Sequence, residues 1–76
     1  MSRAAVIGEA ARTEGFALAG ALVFPAEDAE QARGAWRALP DDVAVLVLTA
    51  RAAAWLGDAP RSRPGVLLAV MRGETA

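Results

Sequence analysis

Any chemistry in this chain has to be done by Asp, Glu, Arg, Ser and Thr, because the sequence holds no histidine, lysine, cysteine or tyrosine. Those four absent types carry most general acid–base, nucleophilic and zinc-binding work. The best-placed polar groups lie in Gly8-Glu9-Ala10-Ala11-Arg12-Thr13-Glu14-Gly15, a turn after an apolar run. A dinucleotide-binding fold would cradle phosphate there. This turn lacks the G-x-G-x-x-G spacing that brings backbone N–H groups to a pyrophosphate, and Glu9 would set negative charge beside it. A P-loop needs Gly-Lys-Ser/Thr, which a lysine-free chain cannot supply. A phospho-acceptor receiver would want an acid after the central apolar run and a late lysine; Thr49 stands at the first place and nothing fills the second. No catalytic, cofactor-binding or metal-ligating residue is assigned, and a small enzyme or nucleotide sensor is the weakest functional class.

The charges point the same way. Eight arginines face nine acids for a net charge of -1, and they are scattered along the chain. Nucleic-acid binding would leave a basic patch or stripe, and none stands out. No run approaches the ~18 continuous apolar residues of a membrane span, so no direct membrane insertion is expected. Met1-Ser2-Arg3-Ala4-Ala5 leads straight into an apolar run, so no secretory signal is expected. The lack of cysteine agrees with a cytoplasmic setting.

The central stretch is Val43-Ala44-Val45-Leu46-Val47-Leu48, bounded by Asp42 and Thr49. A short, valine-rich, non-alternating run reads as a strand buried on both faces, and such strands are mostly parallel with helices above and below. Arg3 to Ile7 reads as the first strand, stopped by Gly8. Glu9 to Ala19 is the first helical region, with Thr13 as N-cap if the regular helix starts late and Glu14 in its first turn; Gly20 closes it. Ala21 to Phe24 is a second strand blocked by Pro25. Ala26 to Leu39 is the clearest helix, with Ala29, Ala32, Trp36 and Leu39 on one arc, and Pro40-Asp41-Asp42 ends it. Thr49 caps a third helix from Ala50 to Leu56, closed by Gly57. A polar loop over 58–64 precedes a fourth strand from Gly65 to Met71. The order β-α-β-α-β-α-β, with short links, implies right-handed crossovers and an open four-stranded parallel α/β sheet, a Rossmann-like or flavodoxin-like half with helices on both faces.

Trp36 and Trp55 read first as plugs for an alanine-rich core, with protein-facing hot spots as the other reading. Gly34 lies opposite its helix's apolar stripe, where it costs ~1 kcal/mol relative to alanine. Drift and close approach of a partner backbone are both open there. Arg61-Ser62-Arg63 reads as a solvated loop, or as a pair for acids on a partner.

Val6-Ile7-Gly8-Glu9 followed by Thr13-Glu14-Gly15-Phe16-Ala17-Leu18-Ala19-Gly20 resembles the F subunit of V/A-type rotary ATPases. Members of that family start with a strand ending in Ile-Gly-Asp and continue with Thr-x-x-Gly-Phe-x-Leu-Ala-Gly. Glu9 stands where an aspartate is usual. The acid before the third strand, Thr49 after it, the alanine-rich helix and Pro64 before the last strand extend the likeness over nearly the whole chain, as one F-subunit-like domain over 1–76. The resemblance implies strand order 2-1-3-4 and a non-catalytic subunit of the central rotor stalk. It implies a cytoplasmic place peripheral to a proton-translocating membrane complex, docked on the coiled-coil D subunit among other ATPase subunits, and needing no cofactor. Members usually carry more sequence after the fourth strand, including a C-terminal helix that can regulate the catalytic head. This chain ends Met71-Arg72-Gly73-Glu74-Thr75-Ala76 without the usual Glu-Ile-Pro, so docking is the family role that carries over.

With that order, the second and third helices share one face of the sheet and the first lies alone on the other. An uncovered apolar strip is expected beside the third and fourth strands, from alternate residues of Val43–Leu48 and Val66–Val70. It must meet a partner or another copy. Val66 and Leu68, with Gly34, are the candidate partner-binding residues. The alternative to a rotor subunit is a stand-alone interaction module or homodimer of the same fold.

Overall fold

Order in the chain follows the hydrophobic periods closely. In the computed structural model, which describes residues 3–71, four strands alternate with three α-helices. The elements are β1 (Arg3–Gly8), α1 (Ala10–Leu18), β2 (Leu22–Pro25), α2 (Ala29–Ala38), β3 (Val43–Leu48), α3 (Ala50–Leu56) and β4 (Leu67–Val70). A short 3-10 turn over Ala59–Ser62 lies inside what the sequence suggests is plain loop. All pairings are parallel and the order is β2-β1-β3-β4, as expected.

Local signals explain most element boundaries. The Asp28 side chain accepts from the Gln31 N–H at 2.8 Å, and the Gln31 side chain accepts from the Glu27 N–H at 2.8 Å. This cap starts α2 at Ala29, three residues later than the run of helix formers suggests. Ala26 instead lies outside the helix and is fully buried, its N–H bonded to the Gly8 carbonyl at 2.8 Å. The first helix starts early, at Ala10, so Thr13 is not its N-cap and Glu14 is not in its first turn. Thr13 sits fully buried inside the helix, its hydroxyl donating to the Glu9 carbonyl at 3.1 Å. That bond satisfies a polar side chain that would otherwise be costly to bury. Gly20, at φ 88°, closes α1 as expected, with Ala21 N–H on the Phe16 carbonyl and Gly20 N–H on the Ala17 carbonyl. That pair of bonds defines a Schellman ending. The fourth strand is shorter than expected, because Gly65 adopts φ 79° and cannot be strand.

Registered residues of parallel neighbours share a face. Ala5, Ile7, Leu46, Leu48 and Leu68 form the face under α2 and α3, where they meet Ala32, Leu39, Ala52 and Leu56 in the core. Val43 joins that core out of turn, because the register shifts between Arg3 and Ala4. Such an extra residue reverses the alternation locally. Trp36 and Trp55 are half-buried at the edge of this core, each with an arginine over its ring: Arg63 at 5.7 Å from Trp36 and Arg51 at 5.5 Å from Trp55. Arg63 also donates to the Pro40 carbonyl at 2.7 Å, which ties the loop before β4 to the end of α2. At the other end of the strands Arg3 grips Asp42 with two bonds of 2.7 and 2.9 Å.

Leu46 is fully buried at the centre of this layer. Leu46→Ala should cost about 2–5 kcal/mol in urea unfolding, whereas Leu18→Ala, at a site 94% exposed, should stay within about 0.5 kcal/mol.

Candidate functional site

Two places could do something: the C-terminal ends of β1 and β3, and the sheet face that α1 shares. The first is the switch point of the topology, since the chain leaves β1 in one direction along the sheet and returns past it to β3. Ligands of open α/β sheets bind at such points. Here the chain fills it with its own groups.

Gly8 lets the strands meet. A Cβ built on Gly8 would overlap the methyl, hydroxyl and Cβ of Thr49. Thr49 is fully buried, and its N–H donates to the Ile7 carbonyl at 3.1 Å. Its hydroxyl donates to Glu9 Oε1 at 2.5 Å and accepts from the Ala52 N–H at 3.2 Å, which makes it the expected cap of α3. A hydroxyl engaged on both sides holds the β1 and β3 loops together. Burial alone would push the Glu9 carboxyl up. The Thr49 hydroxyl, the Glu9 backbone N–H and the nearby Arg51 and Arg12 outweigh it and hold Glu9 below its ordinary value near 4.5. Glu27 reaches across from the start of α2 and accepts from the Ala10 N–H at 2.8 Å. A carboxylate thus takes the place at the first turn of α1 where a phosphate would otherwise be drawn by free N–H groups.

Among the described residues no cavity is large enough to count as a ligand pocket, no cluster of acids could hold a metal ion, and no buried polar side-chain atom lacks a partner. The switch point is a built-up clasp between strands. Glu9 and Arg51 stand at this strand edge, and Phe24 packs against the core beneath α2.

The second place is open. On the α1 face, Val6 is fully buried, but Val45 and Val47 of β3 are only half-buried, Ala69 is exposed and Leu67 is 68% exposed. Register aligns Val45 with Leu67 and Val47 with Ala69, so the four form one apolar strip two strands wide. The reading of β3 as buried on both faces therefore holds only under α2 and α3. The candidates Val66 and Leu68 lie on that covered side, packed partly buried against the core. Both residues flanking Leu68 face the open strip. Sequence reasoning missed that phase because every residue of 66–71 is apolar and alternation leaves no mark. Gly34 lies exposed on α2 with nothing within 4 Å of where its Cβ would be, away from the strip.

The model of the ATP synthase (F/14-kDa) subunit family matches residues 4–69. The chain belongs to that family. As an F-family member it is a subunit of a V/A-type ATPase, and association with other subunits of such an ATPase follows from membership. The match runs from β1 into β4 and so takes in both the clasp and the strip. No curated protein and no solved structure matches the chain. No helix among the described residues is long and apolar enough to cross a membrane.

The clasp has measurable consequences. Gly8→Ala should cost about 1–3 kcal/mol or more by forcing Thr49 away. Glu9→Gln should cost about 1–2 kcal/mol near neutral pH, the worth of a hydrogen bond to a charged acceptor. Because folding lowers the Glu9 pKa, its stabilisation is complete above the ordinary value near 4.5 and fades as pH falls through the lower folded value. Urea midpoints of wild type and variant, followed downward in pH, should therefore converge in the acid range.

Proposed function

We propose that the chain is a non-catalytic central-stalk subunit of a V/A-type proton-translocating ATPase. In this reading it docks on the long coiled-coil D subunit and turns with it, while ATP hydrolysis belongs to other subunits. The observation that carries this reading is the family match across the whole sheet, taken together with an apolar strip that no described element covers. A helix lying beside α1 would bury Val45, Val47, Leu67 and Ala69 at once. Burial of apolar surface at about 25 cal/mol per Å² supplies the drive for such a contact. The place is peripheral to the membrane sector, on the cytoplasmic side, and the docking needs no cofactor.

The test is light scattering of the purified chain mixed with the coiled-coil stalk subunit encoded in the same genome. A one-to-one complex is expected, weakened at least tenfold by Leu67→Glu, about 1.4 kcal/mol of binding free energy. No complex with that stalk at any ratio would remove the rotor assignment.

A further inference from the structure

The chain between α3 and β4 is a self-bonded piece set between two glycines. The carbonyls of Asp58, Ala59 and Pro60 accept from the Arg61 N–H at 3.0 Å, the Ser62 hydroxyl at 2.7 Å and the Arg63 N–H at 3.4 Å. Gly57 at φ 59° and Gly65 at φ 79° stand at its two ends. Both lie in the left-handed region, which glycine enters without the cost a side chain would add. Two residues give the segment its outward hold. Pro60 is buried. The Arg63 side chain is 21% exposed, stacks over Trp36 and donates to the Pro40 carbonyl. Its approach to Asp41, at 3.7 Å, adds little because that carboxylate stands in water.

The strand that follows has few holds of its own. β4 is four residues long, lies at the edge of the sheet and pairs with β3 among the described residues. Leu67, Ala69 and Val70 are exposed, which leaves Leu68 to pack against the core with Val66 just before it. By contrast β3 is bonded on both edges and gives the core Val43, Leu46 and Leu48. Regions with little buried apolar contact open at lower free energy than the centre of a fold.

We infer that residues 58–71 form a hinged flap and that Arg63 is its latch. The flap turns out at Gly57 and carries β4 off the sheet, while β1, β2, β3 and the three helices stay folded. The third helix stays because Thr49 caps it and Ala52 and Leu56 are buried. Opening takes Leu67 and Ala69 away from Val45 and Val47, so the strip beside α1 is complete only while Arg63 holds. A contact on the α2 side of the sheet thereby governs a surface on the other side. The inference does not depend on what docks on the strip.

The experiment is native-state hydrogen exchange of the full chain by NMR, at a pH where exchange follows the opening equilibrium. Two amides decide it: Met71, bonded to the Leu48 carbonyl at 2.7 Å, and Thr49, bonded to the Ile7 carbonyl at 3.1 Å. In the wild type Met71 should be protected at least about tenfold less than Thr49, and its opening should respond more weakly to urea. Arg63→Ala removes a hydrogen bond and a ring contact from the closed form, so both amides should lose about tenfold in protection. Val6→Ala weakens packing under α1 at a fully buried position that the open flap leaves intact. It should lower the protection of Thr49 and leave that of Met71 unchanged. Equal protection of the two amides in the wild type overturns the inference, as does loss at Met71 in Val6→Ala, since β4 would then leave only on global unfolding. Protection of Met71 that ignores Arg63→Ala overturns it too, because the strand would open without the latch.

Discussion

The fold turns on one close approach, the Gly8 backbone against the Thr49 side chain. Strands β1 and β3 lie side by side at the centre of the sheet, yet their helices depart to opposite faces. Two loops must therefore separate at a point where two strands are closest. Glycine removes the atom that would prevent this, and the Thr49 hydroxyl then bonds Glu9 from one loop and the first turn of α3 from the other. With that junction fixed, α2 and α3 can settle over Ile7, Leu46 and Leu48, and α1 can close over Val6. The same junction sets Thr49, Glu9 and Glu27 at the strand ends where open α/β sheets usually take a ligand.

Much of this was readable from residue types. A glycine at the end of β1 and a threonine just after β3 each have one mechanical use, and each is found in it, whereas Pro25 is the last residue of β2 and not a stop beyond it. The family motif around Phe16 and Gly20 also stood in view, and the strand order came with it. What stayed hidden depended on partners distant in sequence. Thr13 looks like a cap until Glu27 is seen to serve the α1 start from a position 17 residues away. Ala26 looks helical until its N–H is found on Gly8. Val43 looks aligned with Val45 until the register shift turns it inward.

The open strip was legible as a need and not as a set of residues. Counting helices per face shows that one side of a 2-1-3-4 sheet is half covered. Deciding which residues of β4 face that side requires the pairing with β3, since Val66 to Met71 has no polar residue to set the phase. Val66 and Leu68 lie on the covered side, packed against the core. Leu18 escaped notice because it sits inside a family motif, where its type reads as shared ancestry before it reads as exposed surface.

The two arginine–tryptophan stacks give the molecule an optical property. The sequence contains no tyrosine and only two tryptophans, so its near-ultraviolet emission comes from Trp36 and Trp55 alone. Each ring is half-buried under a guanidinium, Arg63 for the first and Arg51 for the second. One indole thus reports how firmly the segment before β4 is fastened to α2, and the other reports the helix that springs from the central junction. Neither lies on the open face. Their signal should therefore register the state of the framework while staying nearly silent to whatever arrives on the other side of the sheet.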